Sequence, residues 1–151
     1  MRRISMLPVV IVAACCLFAA VNVGADPTVL PAGNYRLAVR LLLPELEETR
    51  DITVRDERCL ATDEVAGLFP VLAREALQGC RLAHPRHGPK GTDYDLVCAS
   101  AQVATGSARV RSADDGVLFG LLVVKMGGRQ LDFSQHTVAQ RTGGCASGGA
   151  H

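Results

Sequence analysis

Two stretches of this chain carry residue types from which a reactive site could be built. His84-Pro85-Arg86-His87 brings two imidazoles close to a turn, where they could share a metal ion, and Asp132, Ser134 and His136 offer an acid, a nucleophile and a base at alternate positions. Neither arrangement closes into a site. A transition metal needs at least one ligand more than two histidines, and Pro85 makes their surroundings an exposed corner. Residues that alternate along a strand face stand about 7 Å apart, beyond hydrogen-bond reach, so the second set reads as a polar outer face rather than a triad.

The remaining polar motifs are equally plain. Asp93 and Asp95 alternate with Tyr94 and Leu96 on a strand, while Asp114 and Asp115 belong to a turn, where Asp is favoured for backbone reasons. Gly127-Gly128 and Gly143-Gly144 lack the following helix and the Lys-Ser or Lys-Thr of a phosphate loop. Arg109 and Arg111 share a strand face and could meet a small anion, although charges on an exposed strand commonly discourage edge pairing. The sequence thus assigns no catalytic, cofactor-binding or metal-ligating residue, and the expectation is a protein that is not an enzyme.

The N-terminus has the layout of an export signal. Met1-Arg2-Arg3 is basic, residues 4–23 are almost wholly apolar, and the small residues of Val23-Gly24-Ala25 place cleavage between Ala25 and Asp26. The apolar run is long enough to span a bilayer, but no basic stop-transfer flank follows it, so residues 1–25 read as a cleaved signal rather than an anchor. Lipid attachment at Cys15, in Val12-Ala13-Ala14-Cys15, is a minor alternative; apolar sequence continuing beyond Cys16 argues against it. The expected location is periplasmic or secreted, with no membrane contact after cleavage.

The mature chain, residues 26–151, is one domain by length, with residues 26–145 folded and residues 146–151 a small, polar tail expected to be disordered. Removing Arg2 and Arg3 from the 16 basic residues leaves 14 against 15 acidic ones. Such a near-neutral chain has no field to attract nucleic acid.

Of the 6 cysteines, Cys15 and Cys16 leave with the signal, and Cys59, Cys80, Cys98 and Cys145 remain. An even number in an exported chain implies disulfides, and zinc is disfavoured because no Cys-x-x-Cys pair exists. Four cysteines allow three connectivities. Cys80 and Cys98 are symmetric about Pro89 in the turn-like His87-Gly88-Pro89-Lys90-Gly91, so a hairpin would bring them together, leaving Cys59 with Cys145. On the chain-entropy model the short and long loops stabilise by about 3 and about 4.5 kcal/mol.

The element that must organise this framework is the run Val117–Met126, bracketed by Asp114-Asp115-Gly116 and Gly127-Gly128. It reads as the central strand. Leu118, Leu122, Val124 and Met126 point one way and Val117, Phe119, Leu121 and Val123 the other, so both faces want cover. Before it, residues 35–43 and 51–58 form a hairpin closed by Pro44 and an acidic connection at residues 45–48, and residues 80–84 and 92–98 form another. Residues 105–112 lead in through Asp115-Gly116. As a two-residue turn this pairs Val110 with Leu121 and Ala108 with Val123. The Gly127-Gly128 connection is expected to hold one extra residue, so that Leu131 and Phe133 join the face of Val110.

Residues 62–77 form the only helical stretch. Thr62 can cap it, Asp63 and Glu64 suit its N-terminal end, and Val65, Leu68, Phe69, Leu72, Ala76 and Leu77 fall on one face. Pro70 should kink the helix or begin a second one, and Gly79 closes it. The expected fold is therefore mainly β (α+β): a twisted or partly closed antiparallel meander of about seven strands, one short amphipathic helical segment lying on it, and two disulfides.

The order of features resembles a known family. Gly33-Asn34-Tyr35-Arg36, Cys59-Leu60-Ala61-Thr62-Asp63-Glu64, Cys80, Cys98, the Gly-rich meander and Arg141-Thr142-Gly143-Gly144-Cys145 are similar to the bacterial exported family called domain of unknown function 3617. That family often has Trp where Tyr35 stands and Gly-Asp-Cys where this chain has Gly143-Gly144-Cys145. The resemblance implies an exported compartment and this fold, and supplies no chemistry. The functional expectation is a non-enzymatic binding or structural envelope protein without a cofactor. Its partner would be an apolar small molecule or an envelope protein, met at Leu118, Leu122, Val124 and Met126. Those four residues could equally be core beneath the helix. The alternative is a periplasmic inhibitor that inserts the loop of residues 84–91, carrying His84, His87 and Gly91, into a hydrolase.

Overall fold

The computed structural model describes residues 30–43, 52–113, 115–128 and 131–145. The expected export signal with its cleavage site at Ala25 and Asp26, Cys15, the acidic connection at residues 45–48 and the tail expected at residues 146–151 lie outside them.

Seven strands make one antiparallel sheet: β1 (Gly33–Leu42), β2 (Ile52–Leu60), β3 (Arg81–Gly88), β4 (Gly91–Val97), β5 (Ala104–Ser112), β6 (Val117–Met126) and β7 (Leu131–Gly143). Their spatial order is β2-β1-β7-β6-β5-β4-β3. The run at Val117–Met126 is thus the middle strand, as its two-sided apolar pattern requires. The sheet is open rather than partly closed. Its edges, β2 and β3, are consecutive in sequence, so the segment joining them, residues 61–80, has to cross the whole inner face. This strap covers that face, joined at one end by Leu30, which is buried in the same core and accepts a hydrogen bond from the Asp63 amide.

The strap is not an α-helix. It consists of three 3₁₀ turns, Val65–Leu68, Pro70–Ala73 and Glu75–Leu77, joined by extended links at Phe69 and Arg74. Pro70 opens the second turn, where its missing N–H is harmless, and Gly79 ends the segment at φ +80. Thr62 does not cap. Instead the Glu64 carboxylate accepts from the Ala61 amide, and the first turn has no side-chain cap. A strap that must travel from edge to edge gains reach from extended links that a continuous helix, rising about 1.5 Å per residue, would not give. Val65, Leu68, Phe69 and Leu77 are buried, whereas Ala76, expected on the same face, is exposed.

Beneath it lie Tyr35, Leu37 and Val39 of β1, Ala108 and Val110 of β5, Leu118, Leu122 and Val124 of β6, and Phe133 and Ala139 of β7. Three registers place them there. The Asp115-Gly116 connection is one residue longer than a two-residue turn, with Gly116 at φ +76, so Val110 faces Gly120 and Ala108 faces Leu122. This corrects the pairing with Leu121 and Val123, which would have turned β5 over. Between β6 and β7, Met126 faces Leu131, leaving residues 127–130 as the connection. Phe133 and Leu131 do join the face of Val110, through a connection of four residues rather than three.

The third register lies in the β3–β4 hairpin. Arg86 faces Asp93, but Ala83 faces Asp95, so His84 and Pro85 together oppose Tyr94 in a bulge. His84 takes the left-handed conformation, φ 53. The extra residue shifts the hairpin's base by one, and Cys80 falls opposite Cys98. Both expected disulfides are present, Cys80–Cys98 and Cys59–Cys145.

The strap is locked at one point. Thr137 Oγ1 donates to the Leu68 carbonyl (2.9 Å) and Gln135 Nε2 donates to the same carbonyl (3.3 Å) and to Thr137 Oγ1 (2.8 Å). Gln135 Oε1 accepts from the Val71 amide (3.1 Å). Between these bonds the Phe69 ring lies on Gly120, where any Cβ would come within 3.0 Å of it. Gln135→Leu leaves the part-buried Val71 amide without its acceptor and the Leu68 carbonyl with Thr137 alone, and is expected to cost about 1–3 kcal/mol in a denaturant titration. Gly120→Val, which pushes Phe69 out of its seat, is expected to cost a similar amount, about 1–3 kcal/mol.

Candidate functional site

The residues singled out in the sequence fall into three places. His84 and Arg86 meet on the exposed β3–β4 hairpin, where Asp95 receives a bidentate Arg86 (2.9 and 2.8 Å) and the His84 Nδ1 at 3.2 Å. His87 turns instead to Thr92 Oγ1, 3.1 Å away. The two imidazoles therefore have different partners, and among the described residues no three of His, Cys, Asp and Glu gather as a metal-ligand set. Nor is this stretch the expected loop. β3 continues to Gly88, which faces Gly91 across the two-residue tip Pro89-Lys90. Pro85 is accommodated because β3 is an edge strand and the bulge asks no N–H of it.

Asp132, Ser134 and His136 alternate on the outer face of β7 with Phe133 and Gln135 facing inward. Asp93 on β4 is held by Arg109 on β5, which donates from two of its guanidinium nitrogens, Nε and Nη2. These hydrogen bonds hold the Asp93 carboxyl below the usual carboxylate range, and the Arg86 hydrogen bonds do the same for Asp95.

Leu118, Leu122 and Val124 are buried, and Met126 is partly buried against them. The apolar contact surface expected at these residues is core, because Phe69 and its neighbours in the strap occupy the same side of β6. What the strap leaves open lies elsewhere. Toward the β2 edge a groove of about 310 Å³ runs between strap and sheet, with Val39, Leu41, Val54, Pro70 and Val71 along its walls and Gln135 at its base. Val54 is 51% exposed within it. At its rim Arg58 pairs with Asp56 (2.6 Å), and Arg74 projects from the strap.

A second opening, about 340 Å³, lies at the other end of the inner face beside Leu30, Tyr35 and Leu118. Polar groups of Ser112, Asp115, Gln140 and Arg141 line it, and the Tyr35 hydroxyl is already committed to the Pro31 carbonyl at 2.8 Å. Its mixed lining makes it the poorer host for an apolar molecule.

Sequence reasoning did not single out Gln135, Thr137 or Gly120. The signals were two polar residues between Phe133 and Ala139 on the inward face of β7, and a glycine interrupting the apolar run of the central strand. No protein-family model, no curated protein and no solved structure matches this chain.

The ion pairs give a pH signature with a definite sign. A carboxyl whose folded pKa is depressed stabilises above its unfolded value and loses that contribution as pH falls through the folded one. Carbon-detected NMR titration should find Asp93 and Asp95 protonating below the ordinary carboxylate range, and Arg86→Ala should return Asp95 upward while leaving Asp93 low.

Proposed function

We propose that this chain is an exported, disulfide-stabilised binding domain without catalytic activity, which carries a small apolar ligand in the groove between its strap and β2. The observation that carries this reading is the half-exposed Val54, facing Leu41, Pro70 and Val71 across a groove that the strap fails to fill. Leu37 and Leu122 are completely buried on the same inner face, so an apolar molecule in the groove would extend that cover over Val54. The groove's volume, about 310 Å³, falls at the lower end of what small-ligand sites enclose, about 300–1,000 Å³. Arg74 and the Arg58–Asp56 pair at its rim give a bound molecule's polar end something to orient on.

Export is supported by the two disulfides, which persist in oxidising compartments. No helix among the described residues is long and apolar enough to cross a membrane. What favours a binding role for the groove over a catalytic one is that Gln135, the polar group at its base, is already engaged in holding the strap.

Native mass spectrometry of the protein purified from its own periplasm tests the reading. A bound mass that departs on denaturation is expected, and Val54→Glu, which places a charge in the groove at an exposed position, should abolish it without changing the fold. A bare monomer from wild-type protein, or a bound mass indifferent to Val54→Glu, would contradict it.

A further inference from the structure

The outer face of the sheet carries a second feature that the groove does not explain. One cross-strand row runs Arg55, Ala38, Val138, Phe119, Arg111 over β2, β1, β7, β6 and β5. Its two central residues are large, apolar and open to water: Phe119 is 47% and Val138 41% exposed. In the next row Leu121 stands between His136 and Arg109. Together these residues enclose a shallow depression of about 280 Å³ that has Arg109, Arg111 and His136 around an apolar floor and no carboxylate in its lining.

Protection of a sheet edge does not account for these arginines, because β5 is an interior strand with β4 and β3 beyond it. Nor are both neutralised by neighbours. Asp93 takes both hydrogen bonds from Arg109, whereas Arg111, among the described residues, forms no ion pair. An aromatic ring and a valine exposed side by side, next to a guanidinium that forms no ion pair among the described residues and whose neighbour Asp93 is already hydrogen-bonded by Arg109, match a molecule that is apolar in its body and anionic at one end. A neutral apolar ligand would leave Arg111 without a role, and an inorganic anion would leave Phe119 without one.

We propose that the outer face of β5, β6 and β7 binds a single amphiphilic anion, its apolar body on Phe119, Val138 and Leu121 and its anionic group on Arg111. This site is independent of the groove, which lies on the opposite face of the sheet.

Octyl sulfate is the probe, titrated below its micelle-forming concentration into the purified, disulfide-bonded protein and followed by amide NMR. Saturable shifts are expected at Arg111, Phe119 and Val138. Octyltrimethylammonium, with the same tail and opposite charge, and sulfate, with no tail, should each bind far more weakly. Arg111→Gln and Phe119→Ser, both at exposed positions, should each weaken octyl sulfate by about tenfold or more while leaving the remaining amide spectrum dispersed as in the wild type. Equal binding of the cationic amphiphile, wild-type affinity in both variants, or shifts centred on Val54 and Val71 would each overturn the proposal. So would flotation with phosphatidylglycerol vesicles in the absence of any binding to free octyl sulfate, which would make the face a membrane contact instead.

Discussion

An open sheet with one apolar face has to be covered, and here one crossing segment does it. That segment is interrupted at Pro70, and the interruption has a specific cost: the Leu68 carbonyl, at the end of one 3₁₀ turn, and the Val71 amide, at the start of the next, both lack intrahelical partners. Gln135 meets both needs at once. Its amide is a donor and an acceptor on one planar group, so a single buried side chain satisfies the orphan carbonyl with Nε2 and the orphan amide with Oε1. Thr137, on the same inward face of β7, adds a second donor to the carbonyl. Buried polar groups are safe only when every member of the network is satisfied, and among the described residues no buried side-chain polar atom lacks a partner.

The disulfides act on the same segment. Cys59 and Cys80 flank residues 60–79, so the strap leaves one disulfide-held strand end and arrives at another. One bond ties its departure to the chain beyond β7, the other its arrival to the end of β4. The hydrophobic contacts of Phe69 and Leu77 then form within a segment whose ends cannot wander, which reduces the chain entropy that folding must overcome. The width of the groove beside β2 is set by how far from that edge the Gln135 lock holds the Pro70 turn.

Much of this was legible in the sequence, and the failures have physical causes. Strand positions followed from period-two alternation and turn residues, and the central strand from its two-sided apolar run. The cysteine pairing followed from symmetry about Pro89, yet it holds only because the His84-Pro85 bulge displaces the base of a hairpin whose tip is centred between Pro89 and Lys90. Register was harder. Asp115-Gly116 has the composition of a two-residue turn, but the face that Leu118 and Leu122 must share with Ala108 and Val110 demands a longer one, and tertiary burial prevails over local turn preference. The strap's apolar spacing suited a helix equally well. Only the need to span from β2 to β3, which the strand order imposes, favours broken turns. Gln135 was invisible because an inward polar residue on β7 makes sense only once the turn ends it serves are known.

The central strand shows why the two faces differ in what they can bind. Leu118, Leu122 and Val124 are closed over by the strap, and what remains on that side is a narrow aliphatic groove at the β2 margin. Val117, Phe119, Leu121 and Val123 look outward, where nothing among the described residues covers them and Phe119 stays half in water. Residues 26–151 are nearly neutral in total, yet Arg36, Arg40, Arg55, Arg86, Arg109 and Arg111 all occupy this same outer face, against Glu57, Asp93, Asp95 and Asp132, of which Glu57 pairs with Arg36, Asp93 with Arg109 and Asp95 with Arg86. Overall neutrality therefore conceals a division. On the proposed readings the inner side would select by apolar fit, while the outer side places a cationic frame around an exposed aromatic ring, and a frame of that kind would discriminate by charge as well as by shape.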